Sequence, residues 1–428
     1  MSVELGVLPL ERVAVITMGQ SPPSSVVNES GNGVPFLQGN AEFGSQYPQA
    51  RLYCTRPGKL AQRDDTLISV RAPVGAINRA DKEYCIGRGL AAVRFTAADP
   101  QYGFHVLGLA PRQLRRVSQG TTFEAVGKKE LSQVRLFIPT RSEQCRIAEV
   151  LDTADEAMRD AEALIAKLKR LKHGLLHDLL TRGLDENGEL RDPIEQPEQF
   201  KESPLGRLPQ DWQVQPVIAL LAEVNPAMRS GPFGSELLAS ELRGHGIPLL
   251  GIDNVYPEKF VPKFTRFVGE SKYLTLSRYA VRPNDVMITI MGTVGRSCLV
   301  PGTIGTALSS KHVWTLTFDE ARYSPMLASL QINYAPWVVR QFRRDEQGGI
   351  MSAIRADTLR TLLLPVPPRM EQQRIETVLS EVNARIRAEE AYRNKLQLLK
   401  SGLMQDLLTG YVRVPATERE PELIEAGA

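Results

Sequence analysis

Two stretches of the chain share one apolar rhythm. From Ile147 the apolar positions step by four and three alternately through Leu151, Ala154, Met158, Ala161, Ile165 and Leu168. Leu175 and Leu179 carry the stripe on past Lys172. Ile375, Leu379, Val382, Ile386, Leu396, Leu403 and Leu407 repeat it later, with Glu389 and Arg393 interrupting the second copy. A seam of this narrow 3.5-residue period is what two helices need in order to supercoil, and it predicts one long helix in each stretch. Pro139 and Pro367 stand where a first turn needs no backbone donor, and Gly183 and Gly410 stand where a helix can end. Roughly 40 residues at about 1.5 Å each make a rod of about 60 Å. Two amphipathic helices, each packed on its own domain, are the alternative.

The rhythm is part of a longer duplication. Pro139-Thr140-Arg141-Ser142-Glu143-Gln144-Cys145-Arg146-Ile147 returns 228 residues on as Pro367-Pro368-Arg369-Met370-Glu371-Gln372-Gln373-Arg374-Ile375. The closing Leu175-x-x-Asp178-Leu179-Leu180-Thr181 returns at the same offset as Leu403-x-x-Asp406-Leu407-Leu408-Thr409. A gapless repeat of this length is a duplicated structural element, so two similar halves are expected.

Shorter apolar runs, bounded by turn residues, predict strands between the helices. Residues 34–40 and 65–75 in the first half are answered by 247–254 and 285–295 in the second. A further strand is expected at 91–95, a helix around 103–116, and a short strand at 134–138 feeding the long helix. The polar loops between these landmarks differ in sequence and in length, so one scaffold presents two different surfaces. The expected layout is a first globular domain at 1–138, a long helix at 139–183 and a linker at 184–202. A second globular domain at 203–366, a second long helix at 367–410 and a tail at 411–428 complete it.

Composition narrows the class. Charged residues make up 24% and hydrophobic residues 42%, as in a soluble globular protein, and no run of 18 apolar residues occurs. The four cysteines are scattered without a CxxC pair, which points to a reduced, cytoplasmic protein without a structural zinc site. Residues 1–140 hold 16 Lys+Arg against 11 Asp+Glu, and residues 203–365 hold 17 against 13, so both globular parts are basic. That balance suits nucleic-acid binding, although excesses of this size are common in ordinary domains.

Catalytic patterns are missing. There is no GxxxxGK[ST] phosphate loop and no glycine-rich cofactor loop after a strand. Asn225-Pro226-Ala227-Met228 lacks the second proline and the aromatic ring that an adenine methyltransferase stacks on its flipped base. His173 and His177 lie one helical turn apart, but the second copy has Ser401 and Gln405 there, so a solvated helix face is expected and no metal. A chain without chemistry of its own is the reading; a self-sufficient DNA enzyme and a coiled-coil protein adaptor are the competing classes.

With the doubled motifs in place, the chain resembles the DNA-specificity subunit of type I restriction-modification systems. The carriers are the twin Pro-x-x-x-Glu-Gln-x-x-Ile and Leu-x-x-Asp-Leu-Leu-Thr motifs and Ser203-Pro204-Leu205-Gly206-x-Leu208-Pro209-x-x-Trp212. The resemblance covers essentially the whole chain; it departs only in lacking a Trp after Leu8-Pro9. It implies an α+β fold with two similar mixed α/β target-recognition domains separated by two long helices. Those helices would form an antiparallel coiled coil with a pseudo-two-fold axis. Each domain would read half of a bipartite, asymmetric double-stranded DNA site, and the helices would dock methyltransferase subunits, two of them expected. A restriction subunit is a further possible partner, and S-adenosylmethionine, ATP and Mg would belong to the partners, leaving this chain without a cofactor.

DNA contacts are expected from polar and basic residues in loops after the repeated strands. These are Gln38, Asn40, Arg71 and Arg88 in the first half, and Asp253, Asn254, Arg296 and Lys311 in the second. Thr121, Thr122, Lys128 and Lys129, with Arg340, Arg343, Arg344 and Arg355, are candidate phosphate contacts. Glu143, Gln144, Glu371 and Gln372 lie in the first helical turns, where they suit capping and the helix dipole. Docking of the partner subunit is the sharper role for these four.

Overall fold

The computed structural model describes residues 6–117, 125–344 and 354–414. Its contacts divide into two compact units: residues 1–165 with 388–428, and residues 166–387. The long helices are Arg141–Thr181 and Arg369–Leu407, and both divisions fall inside them. Each unit therefore holds the start of one long helix and the end of the other.

In the first unit the strand Thr66–Ser69 is buried on both faces, Leu67 and Ile68 included, so neither face of it needs to be polar. It lies in a four-stranded antiparallel sheet ordered Ala14–Met18, Leu90–Phe95, Thr66–Ser69, Ile77–Arg79. A five-stranded sheet stands beside it, within which Val34–Leu37 and Tyr84–Ile86 pair in parallel. The single helix expected around 103–116 is two helices, Pro100–Leu107 and Ala110–Val117. Pro111 has no N–H to give the earlier turn, so it opens a new helix instead of continuing the old one. Gly6–Pro9 pairs antiparallel with Arg135–Ile138, and that strand feeds the first long helix.

The second unit repeats the plan. Met228–Ser230, Val313–Leu316, Val286–Thr289 and Ser297–Leu299 form the four-stranded sheet. Ile247–Leu250 pairs in parallel with Leu308–Ser309, and Gln213–Pro216 pairs with Leu363–Val366 before the second long helix. A buried carboxylate holds the corner of each four-stranded sheet, supplied with arginine from a different strand. Asp65 accepts from Arg94 Nε at 2.8 Å and Nη2 at 2.9 Å. Asp285 accepts from Arg229 Nη2 and from Thr317 Oγ1. Burial brings the Arg229 guanidinium down to about 10, against the pull of Asp285.

The helix ends pack into the cores of their units. In the first, Ile147, Ala148 and Leu151 share a cluster with Leu407, Leu408, Leu403 and Met404, and Lys400 Nζ bonds Asp155. Residue numbers rise along one helix as they fall along the other, so the two segments run antiparallel. In the second, Leu176, Leu179 and Leu180 share a cluster with Ile375, Leu379 and the fully buried Trp212. Lys172 Nζ donates to both oxygens of Glu258 at 2.7 Å, and Tyr334 Oη donates to the same carboxylate at 2.7 Å. The helix ends are therefore pinned by packing and by charge.

Candidate nucleic-acid interface

Four strands of the first unit end at one rim, tied by backbone hydrogen bonds. Gly19 N donates to Leu90 O and Gln20 N to Ile86 O, both at 2.9 Å. Gly87 N donates to Leu37 O at 2.8 Å, Val70 N to Gly89 O at 2.9 Å, and Val126 N to Val70 O at 2.8 Å. The loops after strands Ala14–Met18, Val34–Leu37, Thr66–Ser69 and Tyr84–Ile86 thus converge, bringing Ser21, Gln38, Arg71 and Arg88 to the same edge.

The second unit builds a rim on the same plan, three of its bonds repeating those of the first while Gly231 takes the equivalent of Gly87 instead of that of Leu90. Gly231 N donates to Ser310 O at 3.2 Å, Ser310 N to Leu250 O at 2.9 Å and Ile290 N to His312 O at 3.0 Å. Ile354 N donates to Ile290 O at 3.3 Å, as Val126 does to Val70. The backbone is so close at the first strand's end that only glycine fits. A Cβ on Gly19 would lie 2.1 Å from Gly87 O, and one on Gly231 would lie 1.8 Å from Ser309 O.

Matching the two rims bond by bond shows what differs. Arg71, one residue past the Val70 bond, corresponds to Met291, one past the Ile290 bond. Arg88, at the tip of the Gly87–Leu90 turn, corresponds to Lys311 in the turn closed by Val313 N on Ser310 O at 3.3 Å. Ser21, two residues after Gly19, corresponds to Phe233, two after Gly231. Arg71, Arg88 and Lys311 are exposed, and no hydrogen bond or ion pair holds their side chains among the described residues. Phe233 is 55% exposed and Met291 39%. The sequence reading missed Phe233 and Met291 because it looked for polar groups; the glycine before Pro232-Phe233 was the available signal.

The other candidates divide. Gln38 is exposed and Asn40, half-buried, opens a short 3-10 turn at the rim. Lys128 and Lys129 are exposed on the helix that follows Val126, and Arg355 is exposed beside Ile354. Arg343 is exposed on the helix Pro336–Arg344, away from these bonds; Thr121, Thr122 and the Arg344 side chain lie outside the described residues. Arg340 gives Nη2 to Leu205 O at 3.0 Å. Arg296 stacks over Tyr256 at 5.6 Å, and Asp253 pairs with Arg266 at 2.6 Å.

Asn254 is corrected from a base reader to a structural residue. It is 1% exposed, its Oδ1 accepts from Gly251 N at 2.9 Å, and its amide donates to Val261 O and Lys263 O. Both amide hydrogens are spent inside the turn, and burial keeps the side chain from a base.

Glu143, Gln144, Glu371 and Gln372 are corrected in the same way, from docking residues to internal staples. All four are buried. Gln144 Oε1 accepts from Asp99 N at 2.7 Å while its Nε2 donates to Pro139 O at 2.8 Å. Gln372 does the same with Ser324 N at 2.9 Å and Pro367 O at 2.8 Å. Asp99 and Ser324 each cap the N-terminus of a domain helix, so the glutamine ties a long helix to its own domain.

Each glutamate seizes an arginine just past the end of the other long helix. Glu143 accepts from Arg413 Nε at 2.9 Å and Nη2 at 2.7 Å, and from Val414 N at 3.0 Å. The Arg413 bonds hold the Glu143 carboxyl below the usual carboxylate range, against the effect of burial. Glu371 accepts from Arg191 Nη1 at 2.7 Å and Nη2 at 3.2 Å, from Leu184 N at 2.8 Å and from Trp212 Nε1 at 3.1 Å. All four side chains thus spend their hydrogen bonds inside the fold.

One cavity of the first unit, about 550 Å³, gathers His105, Asp152 and Asp155. Among the described residues they are the only three side chains spaced like metal ligands. Protein groups already engage them: Asp152 Oδ1 lies 2.8 Å from His105 Nε2 and 3.4 Å from Arg79, and Asp155 is paired with Lys400. Burial pushes the Asp152 carboxyl up, but the bonds from His105 and Arg79 outweigh it and hold it low. His173 and His177 are exposed and belong to no such group. No described helix is long and apolar enough to cross a membrane.

Residues 4–170 match the family model of the type I restriction modification DNA specificity domain. The chain is 40% identical over 181 residues to a putative type I restriction enzyme MjaX specificity subunit of Methanocaldococcus jannaschii, an alignment spanning 42% of each. It thus covers about two-fifths of that relative. The MjaVIII specificity subunit of the same organism is 23% identical over 320 residues, spanning 74% of this chain and 71% of that one. Two solved structures share the fold along nearly all of the chain. The S subunit of a type I restriction-modification system from M. genitalium superposes with a TM-score of 0.57 at 13% identity, covering 94% of this chain and 95% of that one. A chain from a type I R-M system, solved in work on complex assembly and conformational transition, gives 0.59 at 16%, covering 96% and 100%.

Proposed function

We propose that this chain is a specificity subunit of a type I restriction-modification system, the DNA-reading member of such a complex, a reading supported by the match of residues 4–170 to that family's domain. The observation that carries this reading is the doubled rim: one backbone plan, built twice with three shared bonds, and different side chains on it. A scaffold repeated for symmetry would keep its surface residues; a scaffold repeated to read two unlike sequences would vary them. The domain at 1–138 would read one half of a bipartite asymmetric site and the domain at 203–366 the other. Gln38, Asn40, Arg71, Arg88 and Lys311 would reach base edges, and Lys128, Lys129 and Arg355 would take phosphates. The long helices, paired antiparallel along a coiled coil, would fix the spacer and dock two methyltransferase subunits. Adenine methylation with S-adenosylmethionine, and any cleavage with ATP and Mg, would belong to those partners and to a restriction subunit.

The test is selection of bound duplexes from a random pool by the protein co-expressed with a methyltransferase partner. Two short motifs at one fixed separation are expected. Salt-sensitive binding without enrichment would reduce the claim to a basic protein, and no binding would favour a protein adaptor. Methylation by the purified chain with S-adenosylmethionine alone would overturn the non-catalytic reading.

A further inference from the structure

The two rims differ in chemistry, and that difference names bases. We infer that the half-site read by the first unit contains guanine, bonded by Arg71 and Arg88, while the half-site read by the second contains thymine, recognised through its methyl group by Phe233 and Met291. The inference rests on the proposed reading of the rims as the DNA-contacting edges and says what each edge selects.

In the first unit, two guanidinium groups stand at the ends of neighbouring strands with no counter-charge among the described residues. An exposed guanidinium that no acceptor engages keeps its five donors free for an incoming base. A guanidinium presents two parallel donors, and in the major groove guanine alone offers two acceptors, O6 and N7, at the matching spacing. Cytosine and adenine each present a donor there, which an arginine cannot accept.

In the second unit the position of Arg71 is taken by Met291 and that of Ser21 by Phe233, both well exposed. Neither has a hydrogen bond to offer a base. His312 Nδ1 lies 3.2 Å from the Met291 sulfur, so the thioether is held at the rim. Burial and the nearby Lys311 and Arg266 hold the His312 imidazole below its usual range, so it adds no charge at neutral pH. An exposed apolar side chain at a groove-facing edge gains from burying the C5-methyl of thymine, the one apolar group on the major-groove side. Lys311, where the first unit has Arg88, supplies charge without the planar fork that selects guanine.

Two measurements on the complex with its methyltransferase partner test this, once selection has supplied the site. Arg71→Ala and Arg88→Ala should each weaken binding about 5- to 150-fold, the equivalent of one bidentate base contact. They should relax the preference for guanine in one half only. Replacing thymine by deoxyuridine in the other half, with the unaltered protein, should weaken binding about fourfold, the worth of one buried methyl. Phe233→Ser should abolish that sensitivity. A selected motif whose first half lacks guanine, or arginine variants that leave its base preference intact, would overturn the first assignment. Indifference to deoxyuridine at every thymine would overturn the second. Failure to select any motif would instead remove the proposed function on which both rest.

Discussion

Replacing Glu371 with Ala should be among the most damaging single changes in the second unit. The carboxylate accepts four hydrogen bonds, two of them from Arg191, whose residue is 8% exposed. Truncation strands that guanidinium in a place water hardly reaches, and it leaves Leu184 N and Trp212 Nε1 without acceptors. Breaking a buried pair by removing one partner costs about 3–5 kcal/mol. The unit spans residues 166–387. At about 2–4 °C per kcal/mol for a body of that size, its melting point should fall by about 6–20 °C. Denaturant unfolding followed by tryptophan fluorescence is the assay, because Trp212, Trp314 and Trp337, the chain's three tryptophans, all lie in this unit. The equivalent change in the first unit is the control. Glu143→Ala, followed by circular dichroism because the first unit holds no tryptophan, strands Arg413, whose side chain is 58% exposed and stays hydrated, so a clearly smaller loss than for Glu371→Ala is expected. Removing both Glu371 and Arg191 should cost less than the sum of the two single changes, since no charge is left stranded. A loss below about 1 kcal/mol for Glu371→Ala, or strict additivity in the double variant, would refute the reasoning.

Three further outcomes follow from named contacts. Glu143 has its folded carboxyl held low by Arg413, so its stabilisation is complete above the ordinary glutamate range and lost as the pH falls through the folded value. Acid titration of the first unit's stability should therefore flatten in Glu143→Gln, and an unchanged acid limb would count against the pair. Asp285→Ala should cost about 3–5 kcal/mol in chemical denaturation, because Arg229 is left buried beneath its sheet; a loss within 1 kcal/mol would show that water reaches it. Lys128→Ala and Lys129→Ala should each lower the slope of log binding constant against log salt by about 0.9 without changing the selected sequence. A changed sequence preference would make them base contacts.

The duplication, the two long helices and the strand runs were legible in the sequence because each leaves a periodic mark. A seam at Ile147, Leu151 and Ala154 implies helix wherever it lands, and the short run around Leu67 and Ile68, bounded by turn residues, reads as a buried strand. What the tertiary structure decided is where polar side chains spend their hydrogen bonds. Glu143 and Glu371 looked available because a first helical turn is usually solvated, yet their partners, Arg413 and Arg191, are 270 and 180 residues away in sequence. Asn254 looked like a loop residue poised for a base, and it proves to be the buried clasp of its own turn. Phe233 and Met291 carried no polar signal and surfaced only when backbone bonds aligned the two rims. Periodicity is local and is written in adjacent residues. Satisfaction of a donor or a charge is settled by whatever the fold brings alongside, and no stretch of sequence records that by itself.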